Sequence, residues 1–335
     1  MRGYVPGVHG DSATSRLEPT LDIPPWVHRL LPSSPRAWTM DAPGDCAGLD
    51  GVLMRSIEGE RFALVSVRVP KAVLLDADDF RTAVADCYDR IPRLLEMTPA
   101  PHPVRLWNFV PEILAPLGGQ PHRYMIFNEA RFDAYSRWHG SHERFPDVLA
   151  TASGVGHASE DLIVHCLAAP RPGEPVENPR QTAAYRYSPR YGPLPPCFAR
   201  ATRLEHDHDG RRWLLVGGTA SVCGEESLHH ESLEYQFDET IRNLRSLVTA
   251  AMTDPGAARG TGPTETPSQV LARFAEVRAY VPQPGDVDEV AMRIHGAFPK
   301  AAAVEVLPAE LCRPELLVEI EGRAELPRAP LEFDV

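Results

Sequence analysis

The chain has 335 residues, 43% of them hydrophobic and 24% charged, enough apolar material for a sizeable core in one large or two ordinary domains. A formal net charge of -12 argues against non-specific binding to nucleic acid or to an anionic membrane surface, and it obliges any anionic substrate to be captured by local arginines. The six cysteines are scattered with no C-x-x-C pair, and no apolar run is long enough for a signal peptide or a membrane span, so the expectation is a metal-free protein of the reducing cytoplasm.

Residues 1–60 are rich in Pro, Gly and Asp and read as an irregular N-terminal arm, pinned by Trp26 and Trp38. From residue 61 the pattern sharpens. A strand is predicted over 62–69, and a helix from about Asp78 with Phe80, Val84, Tyr88, Ile91 and Leu95 on its apolar face. A strand over 104–110, a helix over 124–138, a Gly-containing loop over 153–156 and a strand over 162–168 complete this first unit, 61–170. Residues 171–210 are rich in Pro, Arg and Tyr, which suits an active-site loop and connection.

The second unit, 211–335, repeats the order. It starts with a strand over 213–216 and a helix whose stripe is Leu233, Phe237, Ile241, Leu244, Leu247, Val248 and Met252. Next comes a strand in which Ala275, Val277, Ala279 and Val281 oppose Glu276, Arg278 and Tyr280, the alternation of a half-buried strand. Asp286 and Glu289 have capping-box spacing ahead of another helix, and strands over 303–307 and 316–321 follow. The run Leu106-Trp-Asn-Phe-Val-Pro111 echoes Val277-Arg-Ala-Tyr-Val-Pro282, which suggests two copies of one β-α-β-α-β unit in an α+β protein.

The stretch with most chemical content is Cys312-Arg-Pro-Glu-Leu-Leu-Val-Glu319-Ile-Glu321. Period-two alternation puts Glu319 and Glu321 on one face while Val318 and Ile320 enter the core. Two neighbouring acids repel, and a partly buried one rises in pKa towards the range of a useful proton donor. On alternation alone the plainer reading is a solvent-facing strand with exposed acids.

The run 304–308 with 317–321 resembles the C-terminal signature of the RidA (YjgF) family. Over about residues 60–325 the larger resemblance is to chorismatases, carried by Arg105-Leu-Trp-Asn-Phe-Val-Pro111, Tyr124-Met-Ile-Phe-Asn128 with Arg131, Ala184-Tyr-Arg-Tyr-Ser188 with Tyr191-Gly-Pro193, Phe198-Ala-Arg200, and Gly218-Thr-Ala-Ser221 with Gly224-Glu-Glu-Ser227. The resemblance implies two RidA-like units in one chain, acting on chorismate as a monomer or weak dimer. In it Glu319 is the general acid that protonates the enolpyruvyl ether, a step that calls on no metal or cofactor. It also implies that Arg131 and Arg200 hold the two carboxylates, with Tyr124, Tyr187 and Tyr191 as hydroxyl donors. Cys312 and Gly224 resemble residues of the 3-hydroxybenzoate-forming type, in which a compact pocket favours the ring hydroxyl over water. The arginine of RidA deaminases aligns with Ala301, which disfavours imine deamination. His206-Asp-His-Asp-Gly210 reads as a hairpin turn before a metal site, and Ser221 lacks a nucleophile elbow.

Overall fold

The computed structural model describes residues 22–31, 38–41, 53–58, 62–118, 122–204, 211–253 and 265–327. In the stretch expected to be irregular, the described residues form a short helix α1 (Pro25–Leu30) and an antiparallel strand pair, β1 (Trp38–Asp41) and β2 (Leu53–Glu58). The pair extends the first sheet, because β2 hydrogen-bonds to β3 (Ala63–Val69). Trp26 of α1 is buried against Trp107, as expected of a pin, whereas the Trp38 side chain lies outside those described.

The first unit continues with α2 (Ala77–Leu95), β4 (His102–Pro111), α3 (Arg123–His139), a short α4 (Phe145–Val148), β5 (Thr151–His157) and β6 (Leu162–Ala169). Phe80, Val84, Tyr88, Ile91 and Leu95 all bury on the sheet-facing side of α2, and Asp76 caps the helix by accepting from the backbone N–H of Asp78 (3.1 Å) and Asp79 (2.9 Å). The sheet runs β1-β2-β3-β6-β4-β5.

The second unit contains β7 (Glu174–Val176), β8 (Ala201–Leu204), β9 (Arg212–Ala220), a two-strand hairpin of β10 (Val222–Cys223) and β11 (Glu226–Ser227), α5 (Leu233–Met252), α6 (Pro267–Leu271), β12 (Phe274–Val281), α7 (Val287–Ala297), β13 (Ala303–Pro308) and β14 (Glu319–Leu326). Its sheet order is β13-β12-β14-β9-β8-β7. Strands β9, β14, β12 and β13 pair as β3, β6, β4 and β5 do: antiparallel, antiparallel, then parallel. The two halves are therefore copies of one α+β topology, and the sequence echo falls on the equivalent strands β4 and β12.

Helices α2 and α3 share one core with the first sheet, and α5 and α7 another with the second. The opposite sheet faces pack together through Trp26, Trp107, Phe109, Leu215, Tyr280 and Leu316. At one end the edges also meet, where Ala199 donates to the Ala150 carbonyl and the hydroxyls of Thr151 and Thr202 hydrogen-bond at 2.8 Å.

Three expectations need correction. Residues 153–156 are the middle of strand β5, not a loop. The glycines read as loop signals answer close approach instead: a Cβ on Gly154 would lie 3.3 Å from the Tyr124 ring, and one on Gly156 would lie 2.9 Å from Ile113 Cγ2. Strand β12 is buried on both faces, because its Glu276, Arg278 and Tyr280 face is covered by the segment around α1, which Glu276 and Arg278 meet at Arg29 and Asp22, and by Trp107 of the first unit. Asp286 forms no capping box: it closes a 3-10 turn with helical φ/ψ and makes no side-chain cap, and Glu289 pairs with Arg293. The box that does form is Thr266 with Gln269, ahead of α6. Residues His206–Gly210 lie outside the described residues; the strands on either side, β8 and β9, pair antiparallel.

Candidate active site

Between the units lies a cavity of about 280 Å³. Its walls come from α3 and β5 of the first unit, from the segment 181–200, and from β9 and the run 312–319 of the second. Tyr124, Arg131, Tyr187, Tyr191, Arg200, Cys312 and Glu319 all line it.

Glu319 opens β14, opposite Ala220 of β9 and Tyr280 of β12. As the alternation requires, Val318 and Ile320 lie in the second core, while Glu319 and Glu321 face the first unit. Neither acid is solvent-facing; Glu319 is 5% exposed and Glu321 2%. Their surroundings differ sharply. Glu321 accepts from Arg105 Nη2 (2.7 Å), Trp107 Nε1 (2.9 Å) and the Ser153 hydroxyl (2.5 Å). Glu319 receives no side-chain hydrogen bond among the described residues. Burial pushes its carboxyl up to about 8, the neighbouring charge of Glu321 pushes the same way, and Arg105 and Arg200 pull against both. At neutral pH Glu319 is therefore mainly the protonated acid. It also lies hard against β9: a Cβ on Gly218 would sit 1.9 Å from Glu319 Oε1, so only glycine leaves the carboxyl its place.

Arg131 projects from α3 and is 1% exposed. Its Nη2 donates to Asn128 Oδ1 at 2.8 Å and its guanidinium stands 5.0 Å from the Phe127 ring centre, but among the described residues no carboxylate pairs with it and its Nε has no partner. Arg200 is similar. It donates to the Thr182 carbonyl (2.9 Å) and the Tyr187 hydroxyl (2.6 Å), its Nε has no partner, and no described carboxylate forms an ion pair with it. A buried cation left without a counter-ion is costly; Arg131 meets no carboxylate among the described residues and Arg200 meets the nearby Glu177, whose carboxyl burial pushes up to about 7, so the pair on one cavity suits a ligand that brings negative charge.

Tyr124 stacks on Phe127 at 6.3 Å and closes the wall opposite Gly154. Tyr187 and Tyr191, 5.3 Å apart, stand near the mouth, where Arg313 lies 3.9 Å over the Tyr191 ring. Burial, with Glu319 close by, pushes the Cys312 thiol up to about 12, so it contributes volume rather than a nucleophile. Gly224 is not on the wall. It takes φ +58°, natural for glycine, and its backbone bonds to the Arg180 carbonyl and the Thr182 N–H hold Gln181 against the cavity.

Sequence reasoning gave no role to Ser153, Gly218, Arg105 or Arg313. Arg105 carried a usable signal, since a cation inside an apolar strand needs a buried partner. Arg313 adjoins Cys312 and donates to the Glu225 carbonyl and Ser227 Oγ, tying the mouth to the β10–β11 hairpin.

Two α+β units of one topology thus close a cavity around a buried acid and two buried arginines with which no described carboxylate forms an ion pair. Residues 37–168 match the family model described as chorismatase FkbO/Hyg5-like, N-terminal. A 3-hydroxybenzoate synthase of Streptomyces hygroscopicus is 30% identical over 85% of this chain and 79% of its own length, and a chorismatase of Streptomyces rapamycinicus is 30% identical over 85% and 80%. A chorismatase crystal structure superposes with a TM-score of 0.68 at 26% identity, covering 81% of this chain and 77% of that one. The chain belongs to the chorismatase family.

Proposed function

We propose that this protein is a chorismatase that converts chorismate to pyruvate and 3-hydroxybenzoate, with Glu319 as the general acid. The observation that carries the reading is Glu319 itself: an acid held protonated by burial, without a protein hydrogen bond among the described residues, on a cavity also lined by Arg131 and Arg200. Chorismate brings two carboxylates and one acid-labile enol ether. The arginines pair with the carboxylates, helped by the hydroxyls of Tyr124, Tyr187 and Tyr191. Glu319 then gives its proton to the methylene carbon of the enolpyruvyl group, forming an oxocarbenium-like species that breaks down with release of pyruvate. When the ring hydroxyl takes the place of water in that breakdown, aromatisation follows and the products together contain the atoms of chorismate, with no net water consumed.

Cys312 supports this aromatising course as a compact neutral wall beside the acid, and Gly224 supports it from behind by shaping the turn that presents Gln181. The division of labour follows the duplication: 61–170 supplies Tyr124 and Arg131, 171–210 the tyrosines and Arg200, and 211–335 the acid. Because one chain carries both sides of the site, we infer a monomer or weak dimer; no helix of the described residues is long and apolar enough to cross a membrane, and we assign the enzyme to the cytoplasm. Chorismate is incubated with the purified protein, pyruvate is followed through lactate dehydrogenase, and the organic product is separated by chromatography beside Glu319→Gln. Pyruvate with 3-hydroxybenzoate, abolished in the variant, is expected. A non-aromatic diene product would overturn the aromatising course, and absence of pyruvate would overturn the activity.

A further inference from the structure

We propose that Glu321, clamped by Arg105, Trp107 and Ser153, is the positioning residue of the acid, a fixed carboxylate that keeps Glu319 in its proton-donating form and in place above Gly218. The inference rests on Glu319 being the proton donor and adds what makes it one.

The geometry begins with hydrogen-bond accounting. Glu321 faces only donors: Trp107 Nε1 on Oε1, and Arg105 Nη2 with the Ser153 hydroxyl on Oε2. A proton placed on Glu321 would displace one of them and find no acceptor. Arg105 is equally committed. Its Nη1 donates to the Leu106 carbonyl (2.7 Å), its Nη2 also donates to Ser153 Oγ (2.5 Å), and its guanidinium lies 4.7 Å over the Trp107 ring. The Ser153 hydroxyl gives its one hydrogen to Glu321 and accepts two bonds, the second from the Gly218 N–H at 2.9 Å. Each member is satisfied by the others, an arrangement that resists rearrangement.

Two residues along the same strand, Glu319 has none of these donors and faces the cavity. A proton shared between the two acids therefore goes to Glu319, the division that separates an acid from its charged neighbour in paired carboxylate sites. The charges that Glu319 meets are Glu321 from β14, Arg105 from β4 and Arg200 from the segment entering β8; Tyr124 of α3 and Cys312 are uncharged neighbours. From β12, Arg278 is occupied by Glu305 of β13, and Gly218 of β9 contributes no side chain. The clamp also crosses the boundary between the units. Arg105, Trp107 and Ser153 belong to the first, and Glu321, Gly218 and Glu319 to the second. Ser153 thereby fixes both the charge beside the acid and the backbone beneath it.

The test uses the full chain with Glu321→Gln and Ser153→Ala. The carboxyl band of protonated Glu319 is assigned by its loss in Glu319→Gln and titrated by infrared spectroscopy without substrate; kcat and KM for chorismate are then followed against pH. Glu321→Gln removes the repelling charge and leaves Arg105, so the Glu319 band and the alkaline limb of the rate profile should both move down by about one pH unit or more, with turnover recovering at acid pH. Ser153→Ala keeps the charges and loosens Gly218, so kcat should fall about tenfold or more at unchanged KM. A folded Glu321→Gln with wild-type titration would overturn the proposal, as would Ser153→Ala with wild-type kcat should the first variant fail to fold. An active Glu319→Gln would instead remove the reading on which it rests.

Discussion

Glu319 should leave a signature in stability as well as in turnover. In the folded chain it holds its proton to about pH 8, against an ordinary value of 4.5. Between those limits the folded protein keeps a proton that the unfolded chain has released, so stability falls as pH rises, by ~1.36 kcal/mol per pH unit for one proton. The favourable contribution is fully present below 4.5 and lost by about 8, on the order of 5 kcal/mol over the whole interval. Glu319→Gln has no such proton. Urea unfolding of both proteins from about pH 5 to pH 9 should therefore give curves that diverge in favour of the variant up to about pH 8 and run parallel beyond it. The variant gains in stability at alkaline pH while losing activity at every pH. A stability difference that does not change with pH would refute the assignment of Glu319 as the protonated member of the pair.

Gly218→Ala places a methyl 1.9 Å from Glu319 Oε1, so the carboxyl must move; kcat should drop by about 100-fold in steady-state assays, more than the melting temperature alone would suggest. Arg131→Gln removes a buried charge that no described carboxylate pairs with; KM for chorismate should rise about tenfold or more, while thermal melting shows no loss of stability. Asp76→Ala removes the two-bond cap of α2, which does not line the cavity, and should cost about 1 kcal/mol in denaturant unfolding with kcat unchanged.

Where one element's own residues decide its structure, the sequence was informative. The stripes of α2 and α5, and the alternation that sends Val318 and Ile320 inward, depend only on periodicity. The failures share a physical origin in partners distant along the chain. β5 looked like a loop because its glycines make room for Tyr124 and Ile113, neither adjacent in sequence. The polar face of β12 looked solvated because alternation cannot show that a segment about 250 residues earlier, with Asp22 and Arg29, covers it. Glu319 and Glu321 are indistinguishable by pattern; the donors that separate them come from Arg105, Trp107 and Ser153, more than a hundred residues away. Arg131 and Arg200 stood out by resemblance, and the absence of an ion-paired carboxylate on either among the described residues could only be seen in three dimensions.

The matching strand pairings of the two units have a further consequence. Tyr280 of β12 pairs with Glu319, and at the equivalent place Phe109 of β4 pairs with Ile163; likewise Arg278 pairs with Glu321 and Trp107 with His165. The first unit thus has an aliphatic residue where the second has its acid. A homodimer of identical units would have to build acid and anion clamp into every copy, compromising each for the other. In one chain the two copies are free to differ, and here the second carries the acid Glu319 while the first supplies Arg131. The price of this asymmetry is one reaction centre where a symmetric pair could have held two.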